Sequence, residues 1–134
     1  MLFTEAERDY LDSQWLARLA TVDPQGRPQN NPVGFFVNDE AGTVDIWGMA
    51  LGKSRKFRNV GANPAVAVVV DDLVSQRPWR VRGIEIRGDA AALTGQQPPY
   101  PYYSREVIRV RPRRIITWGV EAGDQERASR DVEP

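Results

Sequence analysis

The chain has 134 residues, 41% hydrophobic and 27% charged, which suits one soluble domain with a substantial core. Its 18 basic and 18 acidic residues cancel to a net charge of +0, so a general nucleic-acid binder is not expected, and no apolar run approaches the roughly 20 residues of a membrane span. The absence of cysteine and histidine excludes disulfides, thiolate nucleophiles, cysteine–histidine zinc sites, Ser-His-Asp catalysis and a haem-ligating histidine.

The chain opens Met-Leu-Phe-Thr-Glu-Ala-Glu, acidic and without the apolar core of a secretory signal, so a cytoplasmic location is expected. Thr4 and Glu7 form a capping box that starts a helix from about Glu5 to Gln14, with Tyr10, Leu11 and Trp15 as its buried side. A strand from Leu16 to Val22 ends at the turn Asp23-Pro24-Gln25-Gly26. A second strand runs from about Pro28 to Val37, where Pro32 removes a ladder donor and calls for an edge or a bulge. Asn38-Asp39-Glu40-Ala41-Gly42 makes a hairpin turn into a third strand, Thr43 to Met49. On it Val44 and Ile46 share one face, Asp45 and Trp47 the other.

The next stretch, Gly52-Lys53-Ser54-Arg55-Lys56-Phe57-Arg58-Asn59, holds both lysines of the chain, two arginines and no acid. Ser54 reads as an N-cap, and a short helix through Phe57 and Val60 stops at Asn63-Pro64. Cations in a first helical turn oppose the macrodipole, whose N-terminal end is already positive. A bound anion reverses that conflict, because exposed N–H groups and basic side chains then converge on it. The stretch is read as a phosphate site; a solvated basic helix start is the plainer alternative.

Ala65 to Val70 is apolar on both faces and needs two covers, one of which a symmetric partner would supply. Asp71 to Trp79 reads as a loop, and Arg80 to Asp89 as an alternating strand with Ile84 and Ile86 inward. Thr94 to Ser104 is a loop with three prolines and three tyrosines. Glu106 to Val120 holds the last strand or strands, broken at Pro112. Ile108, Val110, Ile116, Trp118 and Val120 keep one phase there, which assigns Trp118 to the core. The tail from Glu121 is acidic, nearly free of apolar residues, and expected to be disordered. Together these elements indicate a mainly β fold, a six-stranded antiparallel barrel with two short helices. It spans residues 3–120 as one domain, followed by the tail at 121–134.

Without histidine or cysteine, the chemistry of an enzyme here falls to an organic cofactor. The motifs Phe3-Thr4-Glu5-Ala6-Glu7, Ala17-Arg18-Leu19-Ala20-Thr21-Val22, Gly26-Arg27-Pro28-Gln29, Pro32-Val33-Gly34-Phe35, Ser54-Arg55-Lys56, Lys56-Phe57-Arg58 and Arg111-Pro112-Arg113-Arg114-Ile115 occur in that order. In this the chain resembles the pyridoxamine-phosphate-oxidase-like split-barrel flavoproteins. It is more similar to the branch that uses the deazaflavin coenzyme F420, in the subgroup containing the oxytetracycline-pathway reductase.

The resemblance implies a split-barrel homodimer with two cofactors at the subunit interface. It implies that Ser54, Arg55 and Lys56 hold the cofactor phosphate and that Asn31, Pro32, Val33 and Gly34 run along the tricyclic ring. Trp47 and Gly48 would sit near the ring, and Gly83 and Ile84 where another strand approaches. No metal is implied. Lys53, Arg58, Arg80 and Arg82 are candidates for the glutamyl tail of F420. The Tyr100–Tyr103 loop either supplies a proton donor or closes the barrel end. Trp47 is either pocket wall or buried packing, and Trp79 is a candidate lid.

The function implied is an F420-dependent reductase passing hydride to a small, planar, unsaturated substrate. An FMN-dependent oxidase or flavin reductase and a non-catalytic F420- or FMN-binding protein are the alternatives. Oxidation of pyridoxamine phosphate itself is disfavoured, because the chain is short and shows no second phosphate cluster.

Overall fold

The computed structural model describes residues 2–121 and 127–133. Helix α1 (Glu5–Asp12) starts with the expected capping box: Glu7 N donates to Thr4 Oγ1 at 3.1 Å and Thr4 N to Glu7 Oε1 at 2.9 Å. Tyr10 and Leu11 are buried as expected. Trp15 is not. The helix stops at Ser13, so Trp15 lies beyond the last turn and its indole is 90% exposed.

The strands are β1 (Leu16–Val22), β2 (Pro28–Gly34), β3 (Phe36–Asn38), β4 (Thr43–Ile46), β5 (Ala65–Gln76), β6 (Trp79–Leu93), β7 (Val107–Trp118) and β8 (Arg127–Asp131). Helix α2 (Arg55–Ala62) stands between β4 and β5. All pairings are antiparallel, in the order β2-β1-β5-β6-β7-β4-β3, with β8 added on β7. Strands β2 and β3 are the two ends of that path, yet only Phe35 separates them in the chain. One residue spans only a few ångströms, so the sheet must curl until its ends nearly meet: a split barrel. Its core includes Leu19, Ile46, Val68, Ile84, Ile86 and Ile108, each at most 1% exposed.

The sheet has eight strands among the described residues, two more than the sequence suggests. The expected second strand, Pro28 to Val37, splits at Phe35 because its halves pair with different neighbours, β1 and β4. As expected, Pro32 lies on an edge strand, where its missing N–H costs no ladder bond. The expected loop from Asp71 is instead the end of β5, paired with β6 as far as Gln76 and Trp79. Its acids disguise it, but each has a cross-strand cation: Arg18 bonds Asp71 at 2.7 Å, and Arg82 grips Asp72 at 2.8 and 3.1 Å.

Pro112 does not break β7; it sits beside a bulge that does more. Arg87 pairs with Arg114 but Gly88 pairs with Pro112, leaving Arg113 as the extra residue. Side chains beyond it change face, so Ile115 joins the main core cluster, whereas Ile116 is buried outside that cluster and Trp118 is only half-buried. The single phase read across β7 is therefore wrong, and Trp118 is half-exposed over Gly83 rather than in the core.

The tail is also corrected in part. Arg127–Asp131 pairs with β7, and Arg130 reaches Glu7 with both guanidinium ends, at 2.5 and 2.7 Å. Backbone pairing and one buried carboxylate hold a segment that has almost no apolar side chains of its own. The rest of the tail at 122–126 and 134 lies outside the described residues.

Candidate functional site

Strand β4 ends at Ile46, so Trp47 and Gly48 leave the sheet instead of finishing the expected strand to Met49. A single 3₁₀ turn, Leu51–Lys53, leads to Ser54, the N-cap of α2. Ser54 Oγ accepts from Phe57 N at 3.2 Å and donates its one proton to Leu51 O at 2.6 Å. The hydroxyl thus orients the helix start. The Arg55 and Lys56 amides, which have no intrahelical acceptor at these positions, and the basic side chains are the groups left that could meet an anion.

Among the described residues ten ion pairs join charged residues elsewhere, and none includes Lys53, Arg55, Lys56 or Arg58. Arg58 donates back to Lys53 O at 2.9 Å. The helix is fixed beside β2 by Asn59, a buried amide that donates to Thr21 Oγ1 at 3.0 Å and Gln29 Oε1 at 3.2 Å. Sequence reading missed this anchor, since a polar residue next to Val60 in a short helix gives no sign of its partners.

A cleft of about 290 Å³ lies between the edge strand and this helix start. Its walls include Pro32, Val33, Gly34, Trp47, Gly48, Ser54 and Lys56, all expected at the site, together with Met49, Ala50 and Leu51, which were not. Trp47 is both nearly buried and part of the wall, which joins its two readings. Asn31 is one step back along β2, half-exposed, and Arg55 is exposed on the helix beside Lys56. Gly83 and Ile84 are not brought to this cleft: Gly83 is buried beneath Trp118, and Ile84 is a core side chain with no exposure. Arg82 is engaged with Asp72 and stands 5.0 Å above the Tyr10 ring. Trp79, 69% exposed at the β5–β6 turn, is not part of the cleft lining.

Gly34 is also a wall of a second cleft of about 440 Å³, lined by Arg8, Trp15, Phe36 and the tyrosine loop. Tyr100 and Tyr102 stack at 5.5 Å with planes 6° apart, and Phe36 meets Tyr103 edge-on at 6.0 Å. Burial, with a bond to Tyr102, pushes the Tyr103 phenol above its ordinary value, so it keeps its proton through neutral pH. Tyr100 and Tyr102 are 48% and 58% exposed. They wall a cleft rather than seal a core.

The donor set fits an anionic, planar cofactor of the flavin type: unpaired cations and first-turn amides at one end, an edge strand with proline and glycine at the other. The comparisons point the same way. The profile for pyridoxamine 5'-phosphate oxidase matches residues 3–127. The 5a,11a-dehydrotetracycline/5a,11a-dehydrooxytetracycline reductase of Streptomyces rimosus subsp. rimosus is 49% identical over 122 residues, covering 90% of this chain and 86% of that protein. A solved structure named an F420 reductase is 27% identical with a TM-score of 0.64, covering 84% of this chain and 98% of that one. An FMN-binding, pyridoxamine 5'-phosphate oxidase-related protein from Nostoc punctiforme shares the fold, at 13% identity and a TM-score of 0.65 over 97% of this chain and 96% of its own. With its curled sheet, its basic cleft and a match along nearly the whole chain, the protein belongs to the pyridoxamine 5'-phosphate oxidase family and is an enzyme of the oxidoreductase type.

Proposed function

We propose that the protein is an F420-dependent reductase that passes hydride to a planar, unsaturated, ring-fused acceptor, as a cytoplasmic homodimer with the cofactor held at the subunit interface. The observation that carries this reading is the single cleft joining Pro32–Gly34, Trp47–Gly48 and the basic start of α2. The names of the S. rimosus relative and of the F420 reductase support it.

Arg55 and Lys56, with their amides, hold the cofactor phosphate, and Lys53 extends the positive field towards an acidic tail. The edge of β2 at Asn31–Gly34 orients the ring system. Reduced F420, when bound, supplies the hydride. The acceptor lies in the aromatic cleft against Gly34, where Phe36, Tyr100 and Tyr102 restrict its tilt; such positioning is the main contribution asked of the protein. Tyr103 holds a proton beside that cleft. FMN, with one phosphate and the same ring shape, is the competing occupant.

Replacing both Arg55 and Lys56 by alanine is expected to weaken F420 binding by at least about tenfold. Fluorescence titration of the double variant measures this. Unchanged affinity would remove the phosphate assignment.

A further inference from the structure

The turn ahead of α2 has no cap of its own. Ala50, just before the 3₁₀ segment, makes no side-chain cap bond, so the leading amides, Leu51 N and Gly52 N, need acceptors from elsewhere. Both acceptors come from the segment that enters β7. Ser104 Oγ accepts from Leu51 N at 3.2 Å and donates to Gly48 O at 3.0 Å, while Ser104 N donates to the same carbonyl at 2.8 Å. Glu106 Oε1 accepts from Gly52 N at 3.0 Å.

Gly52 leaves room for little else, since a Cβ there would stand 2.8 Å from Glu106 Oε1. The partner of Glu106, Gly52, is the residue before Lys53, in a stretch with four cations and no acid. Glu106 forms no ion pair among the described residues. Its bound oxygen caps the backbone, which leaves the cations for an incoming anion.

We infer that Glu106, seconded by Ser104, is a positioning residue: through Gly52 it holds the Gly48–Lys53 turn in the shape that presents Arg55 and Lys56 to the cofactor, without touching the cofactor itself. The inference rests on the reading of that helix start as the cofactor's anion site. It also gives the tyrosine loop a second role. That loop runs directly into Ser104, so one brace ties the wall of the aromatic cleft to the turn of the basic one.

The test uses full-length Glu106→Ala, Glu106→Gln, Ser104→Ala, Gly52→Ala and the Gly52→Ala/Glu106→Ala pair, each titrated with F420 and melted by circular dichroism. Glu106→Ala is expected to lose about tenfold in affinity, whereas Glu106→Gln, which keeps the accepting oxygen, stays within about threefold of the parent. Gly52→Ala alone is expected to lose a similar factor but to add little once Glu106 is gone, because its clash partner has been removed. Parent-like or tighter binding by Glu106→Ala overturns the inference, as does a loss in Glu106→Gln as deep as in Glu106→Ala. If Glu106→Ala does not fold, Ser104→Ala carries the test: a loss of threefold or more, on the order expected for one hydrogen bond, supports the brace, and unchanged affinity overturns it. The Arg55→Ala/Lys56→Ala protein separates the two failures. If it binds F420 like the parent, the anion site is wrong; if it loses affinity while Glu106→Ala does not, only the brace is wrong.

Discussion

Glu7 shows how one residue ties the two ends of the chain together. Burial pushes its carboxyl up, but hydrogen bonds from Arg130 and from the Thr4 amide and hydroxyl outweigh that and hold it below the ordinary carboxylate value. A depressed folded value means stability that is present above the unfolded value, about 4.3, and is lost as the pH falls through the folded one. Glu7→Gln is therefore expected to cost about 2 kcal/mol at pH 7, a figure moderated by the partial exposure of Arg130. The gap to the parent should close in denaturant melts below about pH 4; a gap that persists there would assign the loss to packing. The capping box was legible because Thr4 and Glu7 are three residues apart. Arg130, at the far end of the chain, gave no such signal.

At the scale of elements, the helix starts were legible from local patterns, whereas features set by cross-strand partners were not. The basic stretch could be recognised because its charge, its N-cap and its stop all lie within a dozen residues. The Ser104 and Glu106 brace could not, since its acceptors are 53 and 54 positions from the amides they bind. The phase of β7 failed for a related reason. A bulge is set by what lies opposite, and here Gly88 faces Pro112 so closely that a Cβ on Gly88 would stand 2.2 Å from Arg111 O. Gly88→Ala is expected to destabilise the fold by about 3 kcal/mol, by forcing apart two backbones that cannot yield cheaply. Thermal melting checks this, and a neutral result would mean that the bulge is not fixed by that contact.

For the whole molecule, the exposed apolar residues show where a partner would lie. Leu16 is 56% exposed at the start of β1, and Leu73, Val74 and Trp79 are 42%, 52% and 69% exposed around the β5–β6 tip. The register Arg18↔Val69 and the Arg18–Asp71 bond bring these two groups to the same end of the sheet. Apolar surface gathered in this way is where we place the interface of the proposed homodimer. Sedimentation is expected to give twice the 15.1 kDa chain mass, and Leu73→Glu with Trp79→Glu to give the monomer. A monomeric parent would contradict the dimer. Curvature was legible from strand count and turn spacing, but the pairing that closes the sheet was not, because it depends on Phe35 parting two strands that read as one.

The central claim is that the cleft beside α2 holds a deazaflavin by its phosphate and ring edge. Parallel fluorescence titrations of the full chain with F420 and with FMN test it most directly. Binding of F420 at micromolar or lower concentration, tighter than FMN and weakened at least about tenfold in the Arg55→Ala/Lys56→Ala protein, is the predicted result. Preference for FMN, or failure to bind either cofactor at micromolar concentration, would contradict it.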